Sequence, residues 1–250
     1  MSHLPGLCAR GAELKAYFSL VIPAFNEEQR LPGTLSAWQG FLAAQPYASE
    51  VIVVDDGSSD RTAEVAQAAG VRVLKQPHNQ GKGAAVRAGM LDAEGQWLGY
   101  VDADLNVSPE HVPDALRVLE GGADVVVGSR RLSEYASAEG PARLLAGALV
   151  QVARRTLVLP TIRDTQCGFK LFRREVGRAI FHRMLIRSFA FDIEVLFLAH
   201  KLGAYVVEMP VRTEYRQGST FDPSRHLGPF LADIARIRLN DVAGRYRSQR

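Results

Sequence analysis

The sequence predicts an α/β fold: a single domain on a Rossmann-like, mostly parallel central sheet with helices on both faces. Three observations predict it. Short β-branched runs recur through the first half of the chain, each followed by a stretch of helical spacing after a brief connection. These runs are apolar throughout rather than alternating, as strands covered on both faces are. Polar clusters rich in Asp, Asn, Gly and Ser close them at one end, and open α/β sheets bind ligands at that end.

The elements follow in order. Phe18–Pro23 (FSLVIP) is a buried strand closed by proline. After Asn26 and Glu27 a helical pattern runs through Leu42. Glu50–Val54 is the second strand and ends in Asp55-Asp56-Gly57-Ser58-Ser59. Ser58 or Ser59 caps a helix over Asp60–Ala69, and Gly70 ends it. Val71–Leu74 is the third strand. Gln80–Ala93 is a helix opened by Gly-Lys-Gly. Trp97–Val101 is the fourth strand and runs into Asp102. Pro109–Leu119 is a helix and Asp124–Val127 a strand. Beyond residue 130 the alternation loosens, with helix candidates at Ala142–Leu159 and His226–Val242. The expected organisation is a flexible lead over 1–16, one domain over 17–222, and an amphipathic helix with a basic tail over 223–250.

Composition excludes several classes. A 250-residue chain with 47% hydrophobic and 23% charged residues is neither disordered nor collagenous. Cys8 and Cys167 make no disulfide or metal framework, which suits a reducing cytoplasm. No run reaches the ~18 apolar residues of a spanning helix, and no signal peptide is read at the N-terminus. Charge is split. Residues 1–125 hold 9 basic and 16 acidic side chains, residues 126–250 hold 21 and 11, and the net is only +3. That pattern fits an acidic half holding a metal and a basic half holding anions, although uneven scatter of exposed charge gives the same numbers. No nucleic acid is expected as a partner.

Acidic residues gather at the predicted strand ends: Glu27, Asp55 with Asp56, and Asp102 with Asp104. Converging carboxylates repel unless a cation compensates, and a divalent ion with oxygen ligands does so. Asp102-Ala103-Asp104 sets two carboxylates two residues apart, with the neutral oxygen of Asn106 next. A bare D-x-D also fits a plain polar turn. Gly81 and Gly83 permit close backbone approach at a helix N-terminus, where anions are favoured. Lys82 between them reads either as an anion ligand or as a solvated helix-start lysine. Asp56, Ser58 and Asp60 read as helix-start polar residues. His78, His111 and His226 have no partner pattern.

V-I-P-A-F-N-E (21–27), V-V-D-D-G-S-S-D-R-T (53–62), N-Q-G-K-G-A-A-V-R-A-G (79–89) and Y-V-D-A-D (100–104) occur in this order. Together they resemble the family 2 inverting glycosyltransferases of the GT-A fold, over roughly residues 18–221. The resemblance implies a donor site. In it Pro23, Phe25 and Glu27 receive the nucleoside base, Val53 and Asp55 flank base and ribose, and Lys82 edges the site. Asp102, Ala103 and Asp104 form the donor and metal site, with Asn106 where relatives carry another oxygen ligand. The implied cofactor is a divalent metal, Mg2+ or Mn2+.

Gly128-Ser129-Arg130-Arg131 and Asp164-Thr165-Gln166-Cys167-Gly168-Phe169-Lys170 look like the polyprenyl-phosphate branch of that family. The second stretch is most similar to its dolichyl-phosphate glucosyltransferases. The resemblance assigns Arg130, Arg131, Arg216 and Ser219 to the acceptor phosphate. It departs at Ser219-Thr220, where relatives often carry a lysine. The chain has 25 arginines against 5 lysines, and guanidinium forks match phosphate. The implied reaction moves a hexose from UDP-glucose or GDP-mannose to a dolichyl or undecaprenyl phosphate with inversion. The catalytic residues are then Asp104, Arg130 and Asp164. Asp164 orients Arg130 or the sugar rather than acting as a base, because a phosphate nucleophile is already anionic. Ala142–Ile162, apolar with paired arginines, reads as an interfacial helix or an ordinary core helix. The implied location is peripheral, at the cytoplasmic face of a membrane. A soluble glycan acceptor and a non-catalytic sugar-nucleotide-binding module are the alternatives.

Overall fold

Strand β1 (Ala16–Ala24) lies in the interior of the sheet, with Phe18, Leu20, Val21 and Ile22 wholly buried. In this computed structural model, which describes residues 16–130, 132, 162–213 and 223–247, β1 pairs in parallel on both sides. Its neighbours are β2 (Ser49–Asp55) and β4 (Gly95–Val101). β3 (Arg72–Lys75) extends the sheet beyond β2. With β5 (Val125–Ser129), β6 (Phe169–Arg173) and β7 (Val206–Pro210) the order is β3-β2-β1-β4-β6-β5-β7. The chain departs from β1 to β2 on one side and returns to β4 on the other. That switch point opens a crevice at the strand ends.

Alternate residues of β1 serve two cores, as a period of two demands. Leu20 and Ile22 face the layer of α1 (Leu31–Ala43), α2 (Thr62–Ala68) and α4 (Val112–Glu120). Val21 faces the layer of α3 (Lys82–Asp92), α5 (Arg174–Arg183), α6 (Phe191–Lys201) and α7 (Pro223–Val242). In α1 the buried Leu31, Leu35, Trp38 and Leu42 recur at helical spacing.

The structure refines the predicted elements. α1 begins at Leu31 with proline in its first turn, a favoured place. α2 begins at Thr62, and Asp60 rather than Ser58 or Ser59 accepts its free amide (Thr62 N to Oδ1, 3.0 Å). Strand β6 is antiparallel to both β4 and β5. Val101 therefore pairs with Phe169, and the turn preceding β6 lies beside the end of β4. β6, α5, α6 and β7 were not predicted. α6 is buried almost all round, so it lacks the polar face that marks an amphipathic helix. Among the described residues no helix is long and apolar enough to cross a membrane. The 142–161 part of the candidate interfacial helix lies outside them.

Candidate active site

The loop after β1 is pinned to the loop after β2. Asn26 takes the left-handed conformation (φ 55°), its amide donates to Ser58 Oγ (3.0 Å), and its Oδ1 accepts from Ser59 N (2.9 Å). Phe25, in the same loop, is 43% exposed and offers an apolar surface to solvent. Glu27 grips Arg30 through both oxygens (2.7 Å each), and burial raises its carboxyl above the usual range against that pull. Pro23 and Val53 are buried, and Val53 packs with Ile22 and Ala66 in the core.

Asp55 is buried. Its Oδ1 accepts from Ser58 N (3.0 Å), and its Oδ2 has no protein partner, which leaves an acceptor unsatisfied. Asp56 reaches across to accept from Gln80 N (2.8 Å) and Gly81 N (2.9 Å), so it holds the Gly-Lys-Gly turn. Gly81 sits at φ 98°, where a Cβ would lie 2.5 Å from the Arg187 carbonyl oxygen. Lys82 Nζ lies 2.5 Å from Asp102 Oδ1. Burial opposes its charge, but Asp102 and Asp192 override that and raise its pKa.

Asp102 leaves β4 against Gly168, whose carbonyl accepts its amide (3.3 Å). A Cβ on Gly168 would collide with the Asp102 carboxylate and displace it, so glycine here keeps Asp102 in place. The Ala103 carbonyl is anchored by Thr34 Oγ1 (2.6 Å), and Leu105 turns the chain at φ 54°. Asp104 accepts from the Asn106 amide (3.1 Å) and side chain. Burial works against the charge of both carboxylates. Lys82 overrides it at Asp102, which is held below the usual range, while at Asp104 the neighbouring Asp102 adds to it and the pKa rises. Two carboxylates and an amide oxygen are hard ligands suited to Mg2+ or Mn2+. Among the described residues no group of three or more His, Cys, Asp or Glu side chains is placed to hold a metal by itself. An ion held here would complete its shell with water and ligand phosphate, as Mg2+ does.

Arg130, just past β5, faces the same cavity. Its Nε and Nη2 meet Asp164 Oδ2 (2.8 Å) and Oδ1 (3.0 Å), a bidentate fork. Asp164 is 5% exposed and held below the usual carboxylate range: burial pushes it up, and the Arg130 hydrogen bond and charge pull it down. Both its oxygens are engaged by Arg130, whose backbone amide also donates to Oδ2 (3.1 Å). Asp102, Asp104, Asn106, Arg130 and Gln166 line this cavity. Arg131, Arg216 and Ser219 lie outside the described residues.

One element was missed entirely. Beneath Asp102, the wholly buried Lys170 meets Asp192 Oδ1 (2.5 Å) and the Cys167 carbonyl (2.8 Å), and Tyr100 donates to the same Asp192 oxygen (2.6 Å). Lys170 thus fixes the turn that carries Gly168. A lysine amid the apolar F-K-L-F run was the available signal.

Known proteins resemble this chain in sequence and in fold. The model of glycosyl transferase family 2 matches residues 19–181. Dolichyl-phosphate beta-glucosyltransferase of Dictyostelium discoideum is 34% identical over 247 residues, covering 91% of this chain and 76% of that protein. The Drosophila melanogaster protein of the same name is 40% identical over 231 residues, covering 82% and 69%. Glucosyl-3-phosphoglycerate synthase from Mycobacterium tuberculosis, solved with Mn2+ and uridine-diphosphate-glucose, superposes with a TM-score of 0.67 at 22% identity, over 92% of this chain and 80% of that one. That likeness shows the fold. The chain belongs to glycosyl transferase family 2 and is a glycosyltransferase of the GT-A fold.

Proposed function

We propose that the chain transfers glucose, with inversion, from UDP-glucose to a polyprenyl phosphate of the dolichyl or undecaprenyl type. The observation that carries the reading is that the Asp102-Ala103-Asp104 turn and the Arg130–Asp164 fork border one cavity. A carboxylate pair suited to a metal-bound diphosphate then faces a guanidinium suited to a second phosphate. The names of the relatives, dolichyl-phosphate beta-glucosyltransferases, support glucose over mannose and a lipid phosphate over a soluble glycan.

In this reading Phe25 packs on the base and Asp55 accepts from the nucleoside. Lys82 and a divalent ion at Asp102, Asp104 and Asn106 attend the diphosphate. Held by Asp102, Asp104 and Asn106, such an ion would supply positive charge to the departing diphosphate. Arg130, held in plane by Asp164, orients the acceptor phosphate, with Arg131, Arg216 and Ser219 proposed beside it. The attacking oxygen is already anionic, so the site needs no general base. Its electron pair forms the bond to the anomeric carbon from the face opposite the departing diphosphate. Residues 17–222 form the catalytic unit, and the lipid acceptor implies peripheral attachment to a membrane.

The test is transfer to a short-chain prenyl phosphate by the wild type and by Arg130→Ala. The variant is expected to lose about ten- to a hundredfold in kcat/KM for the acceptor, the worth of one or two charge-assisted hydrogen bonds, with UDP-glucose affinity unchanged. A collapse of donor affinity alone would refute the acceptor assignment.

A further inference from the structure

We propose that Glu194 and Tyr246 form a positioning clamp through which the C-terminal segment sets Lys82 in the donor site. Glu194 lies in α6 with no exposed surface. Its carboxylate accepts from Leu185 N (3.0 Å), Ile186 N (2.7 Å) and Tyr246 Oη (2.6 Å). A buried carboxylate is tolerated only when its lone pairs are met in this way. It therefore ties the segment between α5 and α6 to a tyrosine just beyond α7.

That segment is the template for the Gly-Lys-Gly turn. The Arg187 carbonyl accepts the Gly83 amide (2.8 Å). A Cβ on Gly83 would lie 2.7 Å from the Ile186 carbonyl oxygen, so the two backbones are pressed together. Lys82, between the two glycines, extends under the Phe189 ring of the same segment (5.8 Å) to Asp102. A second strap runs parallel: Ser188 Oγ donates to Asp233 Oδ2 of α7 (2.6 Å). The path from Tyr246 to Lys82 is thus an unbroken series of hydrogen bonds and backbone contacts. Loosening its far end widens the distribution of Lys82 positions and weakens its grip on an anionic donor, since part of the binding free energy then goes to ordering the turn. Neither Glu194 nor Tyr246 approaches the reacting atoms.

The inference rests on the reading of Lys82 as a donor ligand, and the experiment separates the two. Kinetics of the full chain are compared for wild type, Tyr246→Phe, Lys82→Ala and the double variant, with amide exchange followed at Gly83. Tyr246→Phe is expected to raise the KM for UDP-glucose about fivefold, leave the KM for prenyl phosphate unchanged and speed exchange at Gly83. In the Lys82→Ala background it is expected to add nothing to the donor KM, because coupled residues are not additive. If Lys82→Ala leaves the donor KM unchanged, the reading of Lys82 falls. If Lys82→Ala raises it and Tyr246→Phe does not, or if Tyr246→Phe raises both KM values equally in both backgrounds, the clamp falls.

Discussion

Replacing Asp104 with alanine is expected to reduce turnover by about a hundred- to a thousandfold, the scale seen when a charge-stabilising group is removed from an active site. The fold should not suffer. The Asp104 carboxyl is raised above its ordinary value by burial and by Asp102. A carboxylate whose pKa is raised in the folded state opposes folding above its unfolded pKa, so at neutral pH its removal is neutral or stabilising. Thr34 still anchors the Ala103 carbonyl, and the two Asn106 groups that donated to Asp104 turn to water at this half-exposed position. The paired signature is lost activity with an unfolding temperature equal to or above that of the wild type. Calorimetry with UDP should also lose its dependence on Mn2+. Wild-type turnover in this variant, with Mn2+ dependence intact, would remove the metal assignment.

The largest effect on stability is expected at Lys170→Met. Both partners of the Lys170–Asp192 pair are buried, at 0% and 5% side-chain exposure. Removing one leaves the other's charge uncompensated in the core, which costs about 3–5 kcal/mol. In a domain of this size that lowers Tm by roughly 10 °C. Because Lys170 also holds the Cys167 carbonyl, Asp102 loses its backing and activity falls as well. Adding Asp192→Asn to Lys170→Met removes the stranded charge and should restore part of the lost stability. Thermal denaturation of the three proteins decides the matter, and an unchanged Tm in Lys170→Met would show that the pair contributes nothing.

The donor half of the site was legible because its signals are local. β1, β2 and β4 are continuous apolar runs, and Asp55, Asp102 and Asp104 stand at or just past their ends. The opposite wall depends on contacts distant in sequence. Arg130 and Asp164 were both marked, but their fork spans 34 positions and forms only because β6 runs antiparallel beside β4 and β5. β6 was hidden because its Lys170 is paired in the core with an aspartate 22 positions away, which no periodicity shows. Val53 carries a motif position, yet strand register turns it into the core.

The split of charge is also sharper than it first looked. Several arginines of the basic half are committed to structure: Arg174 and Arg178 donate to the carbonyls of Glu94 and Ala93, and Arg173 pairs with Asp124. The positive excess is therefore not all available to anions. Arg130 differs: it is paired with Asp164 and still half exposed to the cavity that holds Asp102 and Asp104.

The most direct measurement is product analysis after incubation with UDP-glucose, Mn2+ and a short-chain prenyl phosphate, run in parallel with GDP-mannose and with a soluble glycan acceptor. The expected result is one product, β-linked glucosyl prenyl phosphate, formed from UDP-glucose and dependent on the metal. Transfer only to the soluble acceptor, retention of the α-configuration, or donor binding with no transfer to any acceptor would contradict the account.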